Sequence, residues 1–133
     1  MILEPYMIDF GQIGASDLGY LTFIENKTMP FEVKRIYWTY YSPDNIMRGH
    51  HAHKKLQQVI FAMSGSIVFY LENSQAEQYT FTLNSPRIGL FIPEMYWRTF
   101  KMSHDAVLLC LASLEYDETD YIRNYEEFKQ KNV

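Results

Sequence analysis

The chain has 133 residues, is 47% hydrophobic and 17% aromatic, and carries a formal charge of −4, enough to bury one core and too little for two. That composition excludes a disordered segment, and with no basic block anywhere in the chain no nucleic-acid partner is expected. No window approaches the ~18 apolar residues of a membrane span, and residues 1–10 contain Glu4 and Asp9 with no basic start, so neither a membrane partner nor a secretory signal is expected and the location read from the sequence is cytoplasmic.

Along the chain, short runs rich in β-branched and aromatic residues alternate with Gly, Pro, Asn, Ser and Asp, the pattern of a sandwich or barrel. These runs predict strands over residues 20–25, 33–41, 57–63, 66–72, 78–83, 87–92, 96–101 and 106–113. Turn residues fall between them at 27–30, 42–45, 64–65, 73–74, 84–86 and 103–105. Eight strands suit a double-sheet jelly roll. The period changes over residues 119–131, where Tyr121, Ile122, Tyr125 and Phe128 are spaced as one face of a helix. The expected architecture is all-β, a jelly roll with a short C-terminal helix, in a single domain over residues 1–133. The lone Cys110 sits in an apolar run and reads as a buried core thiol.

Three of the four histidines fall within Arg48-Gly49-His50-His51-Ala52-His53. In extended chain His51 and His53 project to one side and His50 to the other, so two imidazoles share a cavity while His50 is structural. His104, in a turn beside Asp105, is expected at the surface, and Lys54 in solvent. Gln58 stands five residues after His53, and Gly65 seven further on. This spacing resembles the first cupin motif, with Gln58 in place of its usual Glu. The stretch Pro93-Glu94-Met95-Tyr96-Trp97-Arg98 resembles the second, with Met95 at its Gly position and Arg98 at its histidine. A permanently cationic Arg98 and a neutral Gln58 at two ligand positions predict no metal, and leave the histidines free for acid–base chemistry. In the strand over 33–41, Val33, Arg35, Tyr37 and Thr39 are expected on one face, a phenol beside a guanidinium. For Tyr37 a core aromatic and a catalytic phenol are both open at this point.

The chain further resembles the dTDP-4-keto-6-deoxyglucose 3,4-ketoisomerases, the WxcM-like cupins of deoxysugar biosynthesis. The likeness rests on Pro30-Phe31, Lys34-Arg35-Ile36-Tyr37, Arg48-Gly49, His51-Ala52-His53-Lys54, Gln58, Gly65-Ser66, Trp97, Leu111-Ala112-Ser113 and Tyr116-Asp117-Glu118-Thr119-Asp120-Tyr121-Ile122-Arg123. It implies a cupin double-stranded β-helix, a homodimer, and a site that holds a dTDP-linked keto sugar without metal or cofactor. The reaction takes the proton on C3, passes through an enediol or enediolate, and returns a proton at C4.

Under the same resemblance His51 is the base, His53 relays protons or orients the substrate, and Tyr37 is catalytic. Arg35 and Arg48 are candidates for the diphosphate, since a guanidinium pairs with phosphate oxygens. Gln58 bonds a histidine or a sugar hydroxyl, Trp97 either packs in the core or walls the sugar or thymine, and Arg98 lies near the sugar. Family members often carry Arg where this chain has Leu18, and some carry His at position 98. These two departures bear on the C4 configuration of the product, for which the gluco outcome is favoured. A 3,5-epimerase and a non-catalytic sugar-nucleotide-binding cupin are the competing readings.

Overall fold

Strands with one apolar face bury it by pairing two sheets. The computed structural model describes residues 2–131. Its strands are β1 (Tyr6–Asp9), β2 (Ile13–Ala15), β3 (Gly19–Leu21), β4 (Arg35–Tyr40), β5 (Arg48–His53), β6 (Gln58–Ser64), β7 (Ile67–Asn73), β8 (Gln78–Leu83), β9 (Ile88–Ile92), β10 (Tyr96–Met102), β11 (Val107–Ala112) and β12 (Tyr121–Ile122), followed by one helix, α1 (Tyr125–Gln130). One five-stranded sheet has the order β1-β9-β6-β11-β4 and faces a second with the order β12-β5-β10-β7-β8, while β2 and β3 pair only with each other. This is the expected cupin-type jelly roll.

The core between the sheets is filled by inward residues such as Ile60, Phe69, Leu71, Leu90, Leu108 and Cys110, with the Cys110 thiol fully buried. A second cluster, Val59, Phe61, Phe91 and Leu111, lies on the outer face of the first sheet under Ile8, Phe10, Phe31 and Val33. A third, Ala52, Ile122 and Phe128, lies on the outer face of the second sheet.

Several expectations are corrected. β1, β2, β5 and β12 carry too few β-branched residues to stand out as runs, and the predicted strand over 20–25 shrinks to Gly19–Leu21 because its partner β2 is only three residues long. Val33 precedes β4 and packs on the outer cluster, so only Arg35, Tyr37 and Thr39 share the inner face. The helix expected over 119–131 divides into a 3-10 turn at Glu118–Asp120, then β12, then α1. Pairing decides this: Tyr121 lies opposite His53 and Ile122 opposite Ala52 at the sheet edge. The helix starts only where Asn124 caps it, its side-chain oxygen accepting from the Glu127 amide at 2.9 Å. Ile122 and Phe128 still pack together as the apolar spacing implied, but from a strand and a helix.

One irregularity sets the site. Arg98 is paired with His51, but the next residue, Thr99, is paired with Gly49 and Phe100 with Arg48, so β5 carries an extra residue at Gly49-His50. In a regular strand, residues three apart face opposite sides; the bulge restores Arg48 to the inner face beside His51. The backbone there is left-handed, with φ of 93° at Gly49 and 59° at His50. A Cβ on Gly49 would lie 2.8 Å from the Arg98 carbonyl oxygen.

Candidate active site

Between the two sheets a cavity of about 260 Å³ is lined by Tyr37 and Thr39 from β4, Arg48 and His51 from β5, Gln58 from β6 and Arg98 from β10, together with Tyr121 and Arg123. Of the residues nominated from sequence, the fold therefore brings Tyr37, Arg48, His51, Gln58 and Arg98 together. His53 sits directly behind His51, with ring centroids 5.0 Å apart and the rings nearly perpendicular.

Two nominated residues lie elsewhere. Along β10, Tyr96, Arg98 and Phe100 face inward, so Trp97 must face out. It packs 5.2 Å from Tyr125 and 5.8 Å from Phe128 under α1, which makes it a packing residue and not a wall of the cavity. Arg35 does not line the cavity either; its guanidinium stacks 5.4 Å from the Tyr37 ring and 5.8 Å from Tyr116. A larger hollow of about 460 Å³ on the outer face of the first sheet is lined mainly by Ile24, Val33, Ile36, Phe61 and Leu109, with Glu25 as its one ionisable side chain and none of the nominated site residues.

Arg98 is 2% exposed. One terminal nitrogen donates to the Gln58 side-chain oxygen and the other to the Tyr96 carbonyl at 3.1 Å, while Nε has no partner. All its acceptors are neutral, and among the described residues no carboxylate pairs with it. Burial lowers its pKa only to about 10, so it remains a cation at neutral pH. Gln58 completes a chain: its amide nitrogen donates to the Tyr37 hydroxyl at 2.9 Å and to the Cys110 sulfur at 3.3 Å. Burial, reinforced by Cys110, holds the Tyr37 phenol well above its usual value, so Tyr37 is a proton donor and not a base.

His51 Nδ1 lies 3.1 Å from the Gly49 carbonyl oxygen. A carbonyl only accepts, so the proton is on Nδ1 and Nε2 keeps its lone pair. Burial first, then Arg98, push the His51 pKa down to about 3. The same two causes drive His53 in the same direction. Both imidazoles are therefore neutral in the ligand-free protein at pH 7. Among the described residues no three His, Cys, Asp or Glu side chains converge as metal ligands.

The sequence model of the FdtA family (WxcM-like, C-terminal) matches residues 4–133. The chain belongs to this family. It is 40% identical over 129 residues, 96% of this chain and 92% of the other, to a TDP-4-oxo-6-deoxy-alpha-D-glucose-3,4-oxoisomerase of Aneurinibacillus thermoaerophilus. The sugar 3,4-ketoisomerase QdtA of Thermoanaerobacterium thermosaccharolyticum, solved with TDP, is 40% identical with a TM-score of 0.92, covering 99% of this chain and 96% of that one. The TDP-quinovose 3,4-ketoisomerase WlaRB of Campylobacter jejuni is 41% identical with a TM-score of 0.88, over 97% of this chain and 99% of that one.

Within this FdtA-family site, sequence reasoning assigned no role to Tyr121, Arg123 or Asp120. Arg123 lies 4.2 Å from the centroid of the Tyr121 ring and donates twice to Glu118, each bond 3.0 Å. Tyr121 in turn packs 4.4 Å from the His53 ring and 5.1 Å from that of His51. Reading residues 119–131 as a helix hid them, because only in an extended segment do residues two apart such as Tyr121 and Arg123 share a face.

The two depressed histidines make stability depend on pH. Below about 6.5 the unfolded chain takes up a proton on each imidazole that the folded chain refuses. Stability is then fully present above pH ~6.5 and falls as pH drops, by up to about 1.4 kcal/mol per pH unit for each imidazole kept neutral. Urea unfolding between pH 6.5 and 5 should show this slope, and it should be shallower in His51→Asn; an equal slope in the variant would refute the assignment of a depressed pKa to His51.

Proposed function

We propose that residues 1–133 act as one cupin-type domain that converts dTDP-4-keto-6-deoxyglucose to the dTDP-3-keto-6-deoxy sugar. The observation that carries the reading is a neutral imidazole, His51, whose free Nε2 shares a cavity with a buried cation that has no counter-charge.

In the proposed reaction His51 Nε2 takes the C3 proton, and the electrons of that C–H bond form an enediolate with its charge on the C4 oxygen. Arg98 stabilises that charge, its own burial making the interaction stronger than in water. Tyr37, whose hydroxyl accepts from Gln58 and keeps its proton, donates to the sugar oxygens and relays the proton lost by O3 to O4. A proton returned to C4 completes the exchange of carbonyl and hydroxyl, with His53 as the second imidazole in the proton path. No electrons leave the sugar, so no redox cofactor is needed.

A base with a pKa near 3 is weak in the empty site. The substrate corrects this, since its diphosphate brings negative charge beside Arg48 and Arg123, and the growing enediolate offsets Arg98. Arg48 is the favoured diphosphate ligand because the bulge points it into the cavity; Arg35 is set further back, behind Tyr37. The gluco configuration at C4 follows the Campylobacter jejuni relative, which is named for TDP-quinovose, a 6-deoxyglucose sugar. A cytoplasmic location fits a chain whose one cysteine is a buried free thiol.

Incubation with dTDP-4-keto-6-deoxyglucose in heavy water should yield the 3-keto product by NMR, with deuterium entering the sugar. His51→Asn should bind TDP but slow turnover by ~10²–10⁴, the usual worth of a general base. Binding without deuterium entry in the wild type would favour the non-catalytic sugar-nucleotide-binding reading instead.

Metal independence belongs to the same proposal, because Arg98 beside the two histidines repels a cation. Activity should survive prolonged treatment with a chelator; loss with chelator and recovery with one added ion would reverse this part of the reading.

The homodimer is supported by the outer face of the edge strand β4, where Ile36, Trp38 and Tyr40 are exposed by 55%, 60% and 54%, and by the projecting β2–β3 hairpin with Leu18, Tyr20 and Leu21 in solvent. Exposed apolar side chains of this kind on a small jelly roll suit a second copy of the chain. Light scattering at micromolar concentration should give twice the 15.8 kDa chain mass; a monomer would count against the dimer.

A further inference from the structure

The two histidines are backed by different groups. Nδ1 of His51 meets a carbonyl, which orients the ring but adds no charge. Nδ1 of His53 meets Oδ2 of Asp120 at 3.2 Å, with His53 1% and Asp120 8% exposed. Asp120 is the only carboxylate in contact with either imidazole among the described residues. It does not depend on His53 for its place. Oδ1 accepts the Lys55 amide at 2.8 Å, Oδ2 accepts the Leu56 amide at 3.2 Å, and the Asp120 carbonyl accepts the Lys54 amide at 2.9 Å. The backbone of the loop that follows β5 therefore holds the carboxylate ready, aimed at the imidazole.

Two consequences follow from the chemistry. A carboxylate accepts, so His53 carries its proton on Nδ1 and its lone pair on Nε2. Next to Arg98 an imidazolium has no support unless an anion lies against it, and only His53 has one. We infer that Asp120 is a positioning residue of the isomerase, which fixes the tautomer of His53 and carries the counter-charge while His53 holds the proton that His51 has taken from the sugar. The transfer is balanced: His53 gains on Nε2 the proton released by His51, keeps the one on Nδ1, and gives one up again when the sugar or solvent is protonated. The inference rests on the isomerase reading above.

The test measures kcat, KM and TDP affinity for wild type, Asp120→Asn, His53→Asn and the double variant. The expected result is a kcat lower by ~10–10² in Asp120→Asn, with KM and TDP affinity within about threefold of wild type, and no further loss when Asp120→Asn is added to His53→Asn. A kcat near that of wild type, or the same loss in the His53→Asn background, would overturn it, the latter because Asp120 would then act independently of His53. Asn cannot accept both the Lys55 and Leu56 amides as the carboxylate does, so the variant is checked for folding, and ¹⁵N imidazole NMR of the wild type provides a reading that needs no variant. A neutral His53 protonated on Nδ1 supports the inference; a proton on Nε2 overturns it whatever the variants do. A wild type that neither converts the keto sugar nor exchanges its proton sinks the isomerase reading itself, a result visible before any variant is made.

Discussion

The guanidinium of Arg98 lies at the centre of this molecule, fully enclosed and paired only with neutral oxygens. Taking such a charge out of water is costly unless an opposite charge answers it. In the ligand-free protein that answer is incomplete, and its effects reach every neighbour. It helps keep His51 and His53 neutral, it orients Gln58, and through Gln58 it sets the direction of the Tyr37 hydroxyl. An anionic, oxygen-rich ligand that develops further negative charge as it reacts is what such a site stabilises best.

The jelly roll supplies rigidity to this arrangement and also its one necessary distortion. Tyr37, Gln58 and Arg98 come from β4, β6 and β10, strands of both sheets whose inner faces converge. Arg48 and His51 lie three residues apart on a single strand and could not share that face without the bulge at Gly49-His50. The small side of Gly49, against the Arg98 backbone, ties the bulge to the same residue that carries the charge. Local backbone geometry and site electrostatics are thus set at one contact.

The C-terminal segment has a double role. β12 closes the edge of the second sheet and delivers Tyr121 and Asp120 to the histidines, while α1 covers the outer face of that sheet with Phe128 over Ala52. The residue count between the two jobs is short, so the packing of Phe128 and the placement of Asp120 are mechanically linked.

The amino-acid sequence determined by itself that the chain is all-β, because strand alternation and turn residues are local, and most strands from β4 onward are where those signals put them. It also determined that Cys110 is buried, and the resemblance of its histidine, glutamine and tail motifs pointed to the family. Tertiary structure alone decided the rest. Edge pairing with His53 and Ala52 made a strand of Tyr121 and Ile122 against their helical spacing, since a long-range hydrogen bond outweighs a weak local period. Alternation along β10 turned Trp97 away from the cavity that Arg98 enters, a choice invisible until one of the two is known to face in. The contact of His53 with Asp120 spans 67 residues of sequence. No local signal reports such a contact, because it exists only when two sheets and an edge strand have closed around the same space.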